Sequence, residues 1–408
     1  MQGANAVLPL VLFPFVLGIV GEHYYSKLVI TEALQVYLLA AVLYSFEIDG
    51  VGGVANLHIQ KDADRIAEML GGIVVARTII FLIFAPLMWV IAWFIDPELL
   101  MPALGWSLVP LANAIQPNWL FQGLRKNEVA ATVTVLTRAL AVLSTILVVH
   151  DSSRFALVPA IIGSTYLLGA LLALAYAFLS LNLKFSWPRP SYLRQIVANG
   201  WYIFLGNLGV VVYRESNVLI LAAIGASAPV IATYSLAEKL VKALQAVIRP
   251  LNQHFMPRAM KLAQGKESRL EIMIGLWKLT APQVLALLAV VLMIYIVYPW
   301  AHAHVGFVSR IRNLDEVVSV VSVMCIGAFF GVANFMLGSA GLNAMGERKF
   351  FFLSIIVAGF VGAGTCALGG AYWGVYGAAS AFVLSEATLQ VLILSKYVFS
   401  NHRRLAWR

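Results

Sequence analysis

Charged residues are scarce in this chain of 408. Asp, Glu, Lys and Arg make up 12% of it, against about 25% in an ordinary soluble domain. No other polar residues fill the gap: 61% of the chain is apolar before its 31 glycines are counted, and the mean hydropathy is +0.86. A soluble protein of this length folds as two or three domains with polar surfaces to cover, and this composition cannot cover them. Most of the surface is expected to face lipid. Cysteine is also scarce. Cys325 and Cys366 both fall in apolar runs and read as small buried side chains, so there is no disulfide framework and no Cys/His metal pattern. No cofactor and no metal site is implied. A basic stripe on a soluble face is missing too, so the formal charge of +9 does not point to nucleic acid.

The chain consists mainly of apolar runs. A bilayer-spanning helix takes about 20 apolar residues, so twelve take about 240 and leave about 168 for connections and ends, roughly 13 each. That remainder holds no soluble domain, which argues against a membrane-anchored enzyme. The runs fall at 3–21, 28–48, 72–95, 103–121, 130–149, 156–180, 200–224, 230–255, 277–299, 316–341, 350–370 and 373–398. The first begins almost at Met1, without a basic leader or a small-residue cleavage site, and reads as a retained helix rather than a signal peptide.

The connection at 181–199, with Pro188 and Pro190, divides the chain into an N-lobe over 1–185 and a C-lobe over 186–408. The halves echo each other faintly. Ala112-Asn113 precedes Gly123-Leu124-Arg125-Lys126, and Ala333-Asn334 precedes Gly346-Glu347-Arg348-Lys349. The expected fold is an all-α integral membrane protein with about 12 transmembrane helices in two six-helix lobes around a central cavity, a known transporter plan. Seventeen lysines and arginines, from Lys61 and Arg65 through Lys266 to Arg403, Arg404 and Arg408, fall on one side of this layout. Four fall on the other: Lys27, Arg154, Arg310 and Arg312. The asymmetry places both termini in the cytoplasm.

Charges inside the runs carry the functional signal, because one at mid-bilayer costs at least about 2.5–3.5 kcal/mol. Lys396, Glu32 and Glu47 read as snorkelling residues near helix ends, and Arg77 stands between that reading and a buried role. Arg138, Arg214 and Glu215 lie near the middle of their runs. On the eighth run Glu238, Lys239, Lys242, Gln245 and Arg249 fall within an arc of about 120° at 100° per residue, opposite Ile231, Leu240, Ala243, Leu244, Val247 and Leu251. A polar stripe on a membrane helix is expected to line water. One reading is an internal ion-pair network, with Glu238 paired to Lys242 and Arg214 to an acid on another helix. The other is a cationic cavity lined by Arg138, Arg214, Lys239, Lys242 and Arg249, whose surplus of cations suits an anionic ligand, phosphate above all. Glu215 and Glu238 are candidates for ion coupling, the alternative being that both only hold lysine and arginine side chains in place. His302 and His304, in the 300–315 connection, read as part of a solvated loop.

Three segments resemble those of bacterial polysaccharide flippases of the Wzx type, in the multidrug/oligosaccharidyl-lipid/polysaccharide exporter superfamily. Ala232-Thr233-Tyr234-Ser235-Leu236-Ala237-Glu238-Lys239-Leu240, followed by Arg249-Pro250 and Phe255-Met256-Pro257, is similar to the family's Y-S-x-A-x-K-L segment. Gln116-Pro117-Asn118-Trp119-Leu120-Phe121-Gln122-Gly123-Leu124 looks like its Q-P-x-W-L-F-Q-G segment, and Ile48-Asp49-Gly50-Val51-Gly52 resembles its D-x-G segment. Where the family often carries an aspartate in the seventh helix, this chain reads Arg214-Glu215-Ser216-Asn217.

The resemblance implies movement of an undecaprenyl-diphosphate-linked oligosaccharide from the inner to the outer leaflet of a bacterial inner membrane, for O-antigen, capsule or exopolysaccharide export. It adds Asp49 as a third coupling candidate. Membrane lipids and the polysaccharide polymerase and export machinery are the implied partners. Trp119, Trp201, Tyr202, Tyr213 and Tyr234 are candidates for stacking on sugars, with packing or interfacial anchoring as the alternative for each. A peptidoglycan-precursor flippase and a drug/cation antiporter of the same superfamily are the alternatives, the latter expected to favour cavity acids. A membrane glycosyltransferase or polymerase is a more distant reading.

Overall fold

A segment crossing lipid must satisfy its own backbone, which for an apolar run means helix. The computed structural model is helical accordingly. It describes residues 2–59, 61–265, 268–306, 308–309, 311 and 313–399, with the side chains of residues 2–10 excepted, and among these no strand occurs. Lys266, Arg310, Arg312, Arg403, Arg404 and Arg408, which carry part of the orientation count, lie outside the described residues.

The helices are α1 (Gln2–Leu43), α2 (Phe46–Val54), α3 (Ala63–Ile95), α4 (Leu100–Ile115), α5 (Asn118–Gly123), α6 (Asn127–Val148), α7 (Leu157–Leu179), α8 (Pro190–Glu215), α9 (Asn217–Ala223), α10 (Ala228–Ala263), α11 (Arg269–His304), α12 (Leu314–Asn334) and α13 (Arg348–Phe399). A π-helical stretch, Phe335–Leu342, continues α12. Nine stretches among the described residues are long and apolar enough to cross a membrane. The 36-residue α10 is not one of them, because its charges interrupt the apolar run.

Two helices are too long for one crossing, and each turns back at a glycine. In α1 that residue is Gly21 (φ 77°, ψ 169°). The Phe13 and Tyr25 rings are 6.4 Å apart, although twelve residues of straight helix would separate them by about 18 Å. In α13 it is Gly374 (φ 57°, ψ −133°). There the Ser385 hydroxyl donates to the Ala358 carbonyl at 3.0 Å, across a distance that straight helix would make about 40 Å. Positive φ is a region that glycine enters without strain.

The described residues form two compact units, Met1–Val211 and Val212–Arg408. The first packs around Phe46, Ile66, Leu70, Trp119 and Phe121, and the second around Ile272, Leu276, Met336, Leu337, Leu389 and Tyr397. The connection expected over 181–199 is shorter than its prolines suggested. α8 begins at Pro190, because the fixed φ and missing N–H of proline suit a first helical turn.

In the second unit Glu347, between the π-helical stretch and α13, accepts from Arg269 at 2.8 Å and lies 3.1 Å from the Lys396 ammonium. Burial alone would raise its pKa, but hydrogen bonds and charge from Arg269 and Lys396 outweigh it and hold the carboxyl below its ordinary value. A depressed folded pKa means the stabilisation is complete above the unfolded value and is lost as pH falls through the folded one. Glu347→Gln is therefore expected to lose about 1–2 kcal/mol near neutrality. The gap from wild type should close as pH falls from about 5 to 3, measured by thermal unfolding of the purified protein in detergent.

Candidate functional site

The second unit gathers polar side chains where α8 stops. Glu215 is its last residue, and α9 restarts at Asn217 after the single residue Ser216. This break presents Arg214 and Glu215 to α10. The Lys242 ammonium lies 2.7 Å from Glu215 Oε2 and 3.4 Å from Glu238 Oε1, one turn earlier on its own helix. The Arg214 guanidinium donates to the neutral Gln245 amide oxygen at 3.4 Å. Lys242 retains 36% of its side-chain exposure and Glu215 28%, whereas Glu238 retains 8%. The patch is thus wet on its Lys242 side and dry beneath Glu238.

Below it runs a buried polar track. Asn334 donates to the Glu386 carboxylate at 2.7 Å and to its backbone carbonyl at 3.0 Å. Asn217 donates to the Tyr234 hydroxyl at 2.7 Å. Gly331 admits both groups that meet there: a Cβ at this position would stand 3.3 Å from Gln245 Nε2 and 3.6 Å from Glu386 Oε2. A cavity of about 10 Å³ lies among Tyr213, Arg214, Asn217, Ser385 and Glu386, room for about one water.

Of the residues singled out from the sequence, the structure thus brings together Arg214, Glu215, Glu238 and Lys242. Lys239 follows on α10, half-buried, and Arg249 stands farther along the same face, exposed. The Glu238–Lys242 part of the ion-pair reading is present. Its Arg214 part is replaced by an amide contact. Arg138 belongs to the first unit, half-buried on α6, with its guanidinium carbon 3.1 Å from the centroid of the Tyr166 ring on α7. Asp49 also belongs to the first unit and is exposed on α2. Of the candidate aromatics, Trp119 and Tyr234 are fully buried and pack rather than offer a face to a sugar, whereas Trp201 and Tyr202 are exposed.

The first unit holds a second buried charge that the sequence left undecided. Pro117 has no N–H, so the Asn113 carbonyl lacks the donor four residues on, and Gln116 is pushed to extended geometry (φ −74°, ψ 119°) as the residue before a proline. Arg77, fully buried on α3, fills the gap. It donates to the Asn113 carbonyl at 3.2 Å and the Gln116 carbonyl at 3.5 Å, and meets Glu47 Oε1 at 2.8 Å. Snorkelling is thus replaced by an ion pair for Arg77 and Glu47. The two flanking motifs also meet. A Cβ on Gly50 would stand 2.6 Å from the Trp119 ring, and one on Gly123 would be 3.1 Å from the Val51 carbonyl. Their glycines are what let α2 and α5 touch.

Residues 1–262 match the family described as polysaccharide biosynthesis protein. A protein of Escherichia coli (strain K12) named "Putative O-antigen transporter" is 24% identical over 266 residues, 63% of this chain and 62% of the relative. One of the same name from Shigella dysenteriae is 24% identical over 280 residues, 67% of this chain and 68% of the relative. The match therefore spans less than two thirds of the first relative's length. Among solved structures, an inward-facing multidrug resistance MATE family transporter of the MOP superfamily superposes with a TM-score of 0.70 at 13% identity, covering 98% of this chain and 94% of that one. The lipid II flippase MurJ, in an inward closed conformation, superposes with a TM-score of 0.67 at 12% identity, covering 96% and 85%. At such identities the likeness is one of fold.

Proposed function

Because the chain belongs to the polysaccharide biosynthesis protein family, we propose that it is a Wzx-type flippase moving an undecaprenyl-diphosphate-linked oligosaccharide from the inner to the outer leaflet of a bacterial inner membrane. The observation that carries this reading is the partly exposed charged cluster where α8 ends against α10, in a chain otherwise built of apolar helices. Arg214 meets the neutral Gln245 amide, and Lys242 is held by Glu215 and Glu238; a diphosphate offers both the acceptors that guanidinium and ammonium groups favour. Arg249 and Lys239 extend the cationic face of α10. The glycan then lies in water, and the polyprenyl chain remains in lipid. Lipid-linked oligosaccharide is the substrate, and the polymerase and export machinery are the expected partners.

The layout proposed here has twelve crossings. The nine apolar stretches become eleven when α1 and α13 are counted as hairpins, and α10 makes the twelfth. An even number puts both termini on one side, and the lysine and arginine asymmetry assigns that side to the cytoplasm.

Coupling is assigned to Glu215 and Glu238. Both hold Lys242, so a proton taken up by either loosens the lysine toward the diphosphate, and its release restores the pair and expels the substrate. The test is reconstitution in liposomes with a labelled lipid-linked oligosaccharide on one leaflet, with and without a proton gradient. Label is expected to appear on the other leaflet, and Glu215→Gln or Glu238→Gln to flatten the pH dependence of its rate. Unchanged profiles in both single variants would remove the coupling assignment, and absence of transfer by wild type would remove the function.

A further inference from the structure

We infer that a cleft in the first unit, separate from the α10 patch, binds the phosphate group of an anionic ligand. The cleft lies between the turn after α2 and the turn joining α5 to α6, is open to solvent, and has a volume of about 720 Å³. Its polar lining is Asn56, His58, Lys61 and Arg125, with no carboxylate among the described residues. The acid next in sequence, Asp62, does not line the cleft, and its carboxylate accepts from the His58 backbone N–H at 2.9 Å. Lys61 and Arg125 are both exposed. A point-charge ammonium, a forked guanidinium and an imidazole around one space form a donor set for phosphate oxygens.

The backbone supplies an independent observation. Arg125 has φ 58°, the left-handed region that side chains disfavour. It terminates α5, with its own N–H on the Gln122 carbonyl at 3.1 Å and the Lys126 N–H on the Phe121 carbonyl at 2.7 Å. Glycine is the residue that closes a helix this way without strain. An arginine here works against the local fold, and its side chain lines the cleft. Beside the cations the wall is apolar, from Leu57, Ile59 and Leu124, which suits a phosphate carried on glycerol and acyl chains. A free phosphate ion satisfies the same donors, so the ligand class is a phosphate monoester, diester or ion.

The test uses the full chain in nanodiscs of phosphatidylcholine with phosphatidylglycerol, with retained phosphatidylglycerol counted by native mass spectrometry after release into detergent. Wild type is expected to retain it. Arg125→Gly should lower retention several-fold while melting no earlier than wild type, because glycine relieves the backbone and removes only the side chain. Adding Lys61→Gln should bring the loss to at least tenfold. Lys184→Gln with Arg189→Gln, which removes two basic residues of the same unit outside the cleft, should leave retention unchanged. Inorganic phosphate in excess separates the sources: displacement of the lipid assigns recognition to the phosphate alone, and continued retention assigns it to the phosphate together with its lipid. Retention equal to wild type in the Lys61/Arg125 variant overturns the site, as does an equal loss in the Lys184/Arg189 control.

Discussion

Glu47→Leu is expected to destabilise the purified chain by about 3–5 kcal/mol, the penalty for leaving one partner of a buried ion pair without its counter-charge. Arg77 is fully buried, and its other partners are two backbone carbonyls, which cannot neutralise it. Arg77→Met should lose less, about 1–3 kcal/mol, because it leaves the Asn113 and Gln116 carbonyls without a donor but leaves Glu47 at a position with 34% side-chain exposure, where water can reach it. The double variant should sit near Arg77→Met rather than near the sum, since the carboxylate has no charge to neutralise once the guanidinium is gone. Denaturant unfolding in detergent, followed by tryptophan fluorescence, measures all three. Additive losses would show that Arg77 and Glu47 do not act as a pair.

Lys242→Met should reduce lipid-linked oligosaccharide transfer at least tenfold, about 1.4 kcal/mol of lost interaction. Lys242→Arg, which keeps the charge, should retain most of it. The informative comparison adds Glu215→Gln and Glu238→Gln to Lys242→Met. If the lysine only neutralises two carboxylates, removing them restores transfer. If its charge meets the diphosphate, stability returns and transfer does not. Rates and melting temperatures of the same preparations separate these outcomes.

The helical membrane fold was legible because charge scarcity and apolar run length are composition-level signals that no packing detail can reverse. Hairpin turns at Gly21 and Gly374 were legible as boundaries between runs, though which glycine turns was not, since glycines are frequent throughout both segments. The α10 stripe was legible because helical periodicity is local. Less visible was whatever depends on contacts distant in sequence. Glu386 lies within the last apolar run, but nothing in its surroundings names Asn334, which is 52 residues away. Arg77 looked equally suited to snorkelling, because the carbonyls it serves are exposed by Pro117, 40 residues downstream. Asn113 and Asn334, the two residues of the faint internal echo, each sit beside a buried charge: the first through its carbonyl to Arg77 and the second through its amide to Glu386. That detail could be suspected from the repeat but not drawn from it. Whether Trp119 and Tyr234 pack or stack was open for a related reason, since an aromatic ring in an apolar run carries no mark that distinguishes a packed face from an open one.

The most direct measurement compares headgroup charge in a single preparation. Proteoliposomes would carry, in parallel, a fluorescent undecaprenyl-diphosphate oligosaccharide, its uncharged polyprenyl glycoside counterpart and a cationic dye of the kind a drug antiporter moves. Leaflet transfer or efflux would be followed for wild type and Lys242→Met. A cationic α10 patch predicts that the diphosphate substrate crosses, that the uncharged glycoside crosses at least tenfold more slowly, and that the dye does not move. Efflux of the dye with no transfer of the diphosphate would contradict the account.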